Sequence, residues 1–185
     1  MRMPQELDDP RAEGVRRYWA AERPARETAR AAISAAAAAQ LGELTDREIM
    51  IAGAIAYWCE GTKSKPYRLD QQVRFINSDP ALIRLFLAFI DRAGVSRQRL
   101  RFCVHIHESA DVEAATRYWA RVTGAALDQF VRPVIKHHTP RRPRPSGNAD
   151  YHGCLRVSVI KSSTLYREIS GWAHGVMTAR RRDPV

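Results

Sequence analysis

His105 and His107 stand two residues apart in a stretch that reads as a strand, so both rings leave the same face, where such a pair can share one metal ion or meet phosphate oxygens. His137, His138, His152 and Cys154 lie elsewhere in the chain. Without a second close Cys/His pair to complete a ligand set, phosphate contact or a structural role is the stronger reading. His105, Glu108 and Asp111 would make an acid–base set, but no nucleophile motif or glycine-rich phosphate loop accompanies them. Cys59, Cys103 and Cys154 are odd in number and lack CxxC spacing, which argues against a disulfide framework or a thiolate zinc site. One further carboxylate stands out: Glu60, which with Gly61 closes an apolar helical run.

The more abundant chemistry is cationic. A formal net charge of +10 over 185 residues exceeds what solubility requires and favours a polyanionic partner through counterion release. Nucleic acid is the first expectation and an anionic membrane the second. No apolar run reaches the roughly 20 residues of a spanning helix, and no basic start with an apolar core marks export, so a cytoplasmic protein without a membrane partner is expected. Residues 1–45 carry seven basic and seven acidic side chains, which places the whole surplus in 46–185. Part of it follows Glu60, as Lys63, Lys65 and Arg68. Another part lies between His137 and Asp150, where His137, His138, Arg141, Arg142 and Arg144 are spaced by Pro140, Pro143 and Pro145 with no acid before Asp150. Such an arm suits phosphate contacts or reaching along a groove; otherwise it is a solvated loop.

The elements that must position these groups divide the chain into a charge-balanced helical arm (1–44), a body (45–178) and a basic tail (179–185). The arm is Ala-rich from Asp9 to Gln40 and reads as one or two solvated helices around Pro24. Val15, Tyr18, Trp19, Ile33 and Leu41 give it one face that can dock on the body or on a second subunit. In the body, Thr45 and Glu48 form a capping box before an apolar helix, which contains the small residues Gly53, Ala54 and Ala56 and which Gly61 can close in the left-handed conformation. Gln72–Ile76 alternates as a strand that presents Arg74, and Asp79-Pro80 opens a helix over 81–93. From Arg99 to His107, Leu100, Phe102, Val104 and Ile106 alternate with Arg99, Arg101, Cys103, His105 and His107, so one face is core and the other basic. Ser109 caps a helix through Thr123, Phe130–His137 reads as a strand with Arg132 and Lys136 on one side, Arg156 alternates within a strand over 155–159, and a last helix covers 165–176.

The segment Val73–Ser78 has a counterpart in Val157–Ser162, and Tyr57-Trp58 has one in Tyr118-Trp119. The order of elements becomes helix, hairpin, helix, strand, then helix, hairpin, helix. Pseudosymmetry of that kind suits a reader of duplex DNA, which has approximate two-fold axes of its own. With Gly53–Gly61 as a small-residue helix ending in an acid and glycine, the chain resembles the LAGLIDADG homing-endonuclease superfamily, which pairs two αββαββα units so that signature helices pack beneath a saddle of strands. The wider run Ala56–Lys63, with Phe75–Pro80, His105–Glu108 and Tyr151–Leu155, is similar to a set of proteins from high-GC bacteria in which a helix-turn-helix often precedes the domain. Here that module is expected either to be lost or to lie upstream.

The resemblance implies an α+β fold: a pseudo-duplicated αββαβ-αββα unit, 45–108 and 109–178, with a saddle-shaped antiparallel sheet. It also implies that each signature helix contributes an acid holding divalent metal between scissile phosphates. Glu60 matches one such acid, whereas Arg121 stands where the second should be. The expectation is therefore a duplex-DNA-binding, regulatory protein without double-strand cleavage and without a cofactor. A nickase holding magnesium at Glu60, or a dimer pairing Glu60 with its copy, is the alternative. Its partner state would be a monomeric pseudo-dimer or a homodimer through the arm.

Overall fold

The computed structural model describes residues 10–65, 67, 69–137 and 151–179, and the chain divides into two units, Met1–Leu44 and Thr45–Val185. In the first, a single helix, α1 (Pro10–Leu41), runs unbroken through Pro24. Alanine-rich sequence favours it, and the i,i+4 pairs Arg17–Glu13 and Arg26–Glu22 brace its exposed surface. Arg26 also lies 4.5 Å from the centroid of the Trp19 ring. Val15, Tyr18, Trp19, Ile33 and Leu41 are all exposed on it.

The second unit starts with α2 (Asp46–Glu60), whose capping box is formed as its sequence requires: Thr45 Oγ1 accepts from the Glu48 amide, and the Glu48 carboxylate accepts from the Thr45 amide at 2.7 Å. These bonds hold the Glu48 carboxyl below its ordinary pKa. Then come β1 (Arg74–Asn77), α3 (Pro80–Arg92), β2 (Leu100–His107), α4 (Val112–Thr123), β3 (Val134–Lys136), β4 (Cys154–Val159) and α5 (Ser163–Thr178). The class is α+β. One four-stranded sheet is ordered β1-β4-β2-β3, antiparallel except for the parallel β2–β3 pair.

A single apolar core joins the helices α2 to α5 to one face of this sheet, through Phe75 of β1, Leu100, Phe102, Val104 and Ile106 of β2, and Leu155, Val157 and Val159 of β4. Phe75 stacks on Phe86 of α3 with centroids 4.4 Å apart, and Trp172 of α5 meets Phe89 edge-on. Trp119 of α4 is fully buried and its indole N–H donates to the His152 carbonyl at 2.8 Å. Gly53 allows α2 to lie directly on α3, since a Cβ there would overlap the Phe89 ring.

Several elements differ from the sequence expectation. Gly61 closes α2 in an extended conformation, φ −76°, and glycine is required there because a Cβ would meet the Tyr57 ring and carbonyl. Asp111, not Ser109, caps α4, because its carboxylate reaches the Ala114 amide while Ser109 bonds His107. The strand expected over Phe130–His137 is reduced to Val134–Lys136: Pro133 has no N–H for a ladder, and Phe130 makes only an isolated bridge to Phe102. β3 and β4 do not pair as the second hairpin either, since they lie on opposite sides of β2. Of the first hairpin, the described residues show a bridge between Gly61 and Phe75, with the Thr62 amide donating to the Arg74 carbonyl. The two matching segments are sheet neighbours, with Phe75 opposite Val157.

Because the α2–α3 contact has no room for a methyl group, Gly53→Ala should lower unfolding free energy by about 1–3 kcal/mol through overpacking. Gly171→Ala in α5, where a Cβ meets nothing within 4 Å, is the matched control and should not destabilise in urea melts.

Candidate nucleic-acid interface

Alternation along the strands decides what the other face of the sheet presents. With Phe75, Leu100, Phe102, Val157 and their neighbours turned into the core, the outward positions are Arg74 and Ile76 of β1, Cys154, Arg156 and Ser158 of β4, Arg101, Cys103, His105 and His107 of β2, and Val134 and Lys136 of β3. Register arranges them in transverse rows. Arg74, Ser158 and Arg101 form one; Ile76, Arg156 and Cys103 the next; then Cys154, His105 and Val134; and finally His107 beside Lys136. None of these rows contains a carboxylate.

Not every cation on the face is equally available. Arg74 is anchored by Asp70, with its guanidinium 2.5 Å from the carboxylate, and by Gln72. Arg101 donates to the carbonyls of Gln98 and Leu100, both at 2.8 Å. Arg156 keeps its stem against the sheet: its Nε is buried and without a hydrogen-bond partner in the described structure. Lys136 is exposed. His105 lies at the centre, and its buried Nε2 likewise has no partner. Burial, followed by the charges of Arg156 and Lys136, lowers its pKa below the ordinary imidazole value, so the ring is neutral at physiological pH.

The remaining sequence candidates fall elsewhere. Arg99 alternates correctly but sits in a 3-10 turn before β2, where its guanidinium donates to the carbonyls of Ile160 and Lys161 and clips the β4–α5 turn. These bonds make it a clasp of that turn. His107 Nδ1 accepts from the Ser109 amide, and its ring lies 2.8 Å from the Ser109 hydroxyl. His137 pairs with Glu108 at 2.5 Å just beyond β3. Arg132 is exposed beside a shallow groove with Arg117 and Leu127. Lys63 and Lys65 follow α2, over the rings of Trp58 and Tyr67 at 5.5 and 5.6 Å. Arg68, His138, Arg141, Arg142 and Arg144 lie outside the described residues.

Glu60 is exposed at the C-terminal end of α2, and Arg121 is exposed near the end of α4. α2 packs chiefly on α3 and α5, and α4 on α3 and β2, so the principal helix contacts do not set these two ends side by side. Among the described residues no group of three His, Cys, Asp or Glu side chains could hold a metal ion, and no helix is long and apolar enough to cross a membrane. His152 is taken up by stacking on Tyr118, with centroids 3.7 Å apart.

The sequence missed Asp70, the acid that anchors Arg74. The i,i+4 spacing was visible, but the segment before β1 is not helical, and only the folded loop makes the pair. Comparisons with protein-family models, curated proteins and solved structures find no match for the chain.

Arg99→Ala should lower stability by about 1–2 kcal/mol, since it removes charged donors from two carbonyls. Lys136→Ala, at an exposed site, should change it by no more than about 0.5 kcal/mol. Urea denaturation of both variants separates the clasp from the surface cation.

Proposed function

We propose that the open sheet face binds duplex DNA, with Arg101, Arg156 and Lys136 meeting backbone phosphates and the outward rows supplying the base-reading surface. One observation carries the reading: the outward positions of three adjacent strands bring cations together in rows free of carboxylate. A β-surface of this kind suits a groove, and the charge surplus of the body favours association by releasing counterions. The role is regulatory binding.

The order of elements supports a second-copy arrangement. If the Gly61–Phe75 bridge is counted as marking a short first strand at Gly61 and Thr62, the body is one αββαββα unit with α4 and β3 inserted between its third and fourth strands. A fold of the LAGLIDADG kind needs two such units. Ile51, Ile55 and Trp58 lie at i, i+4 and i+7 on α2, with Ile51 and Trp58 exposed, and a second copy of this chain is the occupant that would cover them. The exposed apolar residues of α1 offer the arm as the other route to a homodimer.

Fluorescence titration of a labelled duplex at several salt concentrations tests the binding. Wild type should weaken linearly on logarithmic axes, and Arg156→Gln should lower the slope by about 0.9 for the phosphate contact it loses. Absence of binding at low salt, or binding with no salt slope, overturns the reading.

Metal-dependent cleavage is the second reading, favoured by the exposure of Glu60 at the end of α2, where pairing of two copies would bring a carboxylate from each. Magnesium or manganese would then be held by the two Glu60 side chains and activate water. Supercoiled plasmid incubated with either ion should be relaxed by wild type and not by Glu60→Gln; plasmid left intact in both metals eliminates cleavage.

A further inference from the structure

His105 occupies the middle of the outward face, between Cys154 of β4 and Val134 of β3, and the charged groups nearest to it there are cations. From β4 come Cys154, directly opposite, and Arg156, diagonal to it; from β3 comes Lys136, diagonal on the other side; along β2 itself stand Cys103 and His107. No carboxylate of the described residues stands in these positions. The Nε2 atom is shielded from water and from any internal partner, and the Arg156 Nε beside this row shares that condition. A buried polar atom left in this way is costly, by an amount comparable to a lost hydrogen bond, unless a further group completes it. Among the described residues the helices of the core pack on the other face of the sheet, so a phosphate held by Arg156 and Lys136 on this face would lie close enough to act on the charge of the ring between them.

We infer that a nucleic-acid phosphate docking over Arg156 and Lys136 is coupled to uptake of a proton by His105, so that the open face grips polyanion more tightly as the pH falls. The inference rests on the reading of this face as a nucleic-acid surface and specifies how that surface is regulated. The free ring is held neutral by burial and by the two cations. A phosphate between them supplies the negative charge that these positions lack and offsets their repulsion of an imidazolium. The sign follows from linkage: the bound state has the higher His105 pKa, so between the free and bound values the complex carries more protons than the free protein, and affinity rises as pH falls through that window. Below the free value both states are protonated and the dependence levels off.

The test measures affinity for a labelled 20-base-pair duplex at fixed ionic strength in steps from pH 8 to pH 5.5, with wild type and His105→Gln. Wild type should tighten by up to about tenfold per pH unit in the steepest part, the limit for one proton. His105→Gln should keep the salt slope and lose that part of the pH slope. As a readout independent of the variant's folding, the His105 ring signals of wild type, followed by NMR, should titrate at higher pH with saturating duplex than without it. Salt-dependent binding with equal pH slopes in both proteins, or a His105 titration that the duplex leaves in place, overturns the proton coupling and leaves DNA binding standing. Absence of salt-dependent binding at every pH overturns both.

Discussion

Alternation along β2 and β4 sets the rest of the body. Leu100, Phe102, Val104 and Ile106 of β2, with Leu155, Val157 and Val159 of β4, all enter a core whose helices lie on one side. Each large apolar side chain buried there stabilises by about 1.5–3 kcal/mol, so slipping either strand by one residue would reverse both faces at a cost no surface contact could offset. The register that satisfies the core therefore also fixes which residues turn outward. Arg101 and Arg156 do not face outward because they attract one another; their repulsion is tolerated because the core requires their neighbours to face in.

The same constraint explains Cys103. It is an outward residue by parity and yet is buried, with its thiol 3.4 Å from the Arg132 carbonyl. Arg156, paired across from it, keeps its Nε out of water, consistent with a stem that lies along the sheet rather than rising from it. Beyond the sheet, the loop that leads from α2 into β1 is tied at several points: the Tyr57 hydroxyl donates to the Thr62 carbonyl, the Ser64 amide to the Tyr166 hydroxyl, and the Val73 amide to the Ser162 hydroxyl. These bonds couple the end of α2 to the start of α5 and so hold the stretch carrying Lys63 in place.

Local signals were legible where the physics is local. Thr45–Glu48, Asp79-Pro80 and the period-two pattern of β2 are each decided by neighbours in sequence, and each is formed. Pairing was not legible, because it depends on which strand a returning helix delivers the chain beside. The likeness between Val73–Ser78 and Val157–Ser162 suggested two separate units, but these segments lie antiparallel within one sheet, where similar alternation meets the same core. Arg74, Arg101, Arg132, Lys136 and Arg156 look alike in sequence. Asp70 beside the first and the carbonyl acceptors around the second distinguish them, and those partners are products of the fold.

The parallel β2–β3 pair carries a consequence for the proposed function. An antiparallel return needs only a turn, whereas a parallel one needs a crossover, which here is α4 with Trp119 buried beneath it. α4 is thus accounted for as the connection that lets β3 join the sheet edge beside β2. The inserted crossover also extends the open face by one strand, adding Lys136 beside His107, so the segment that disrupts the sequence repeat is the one that widens the cationic surface.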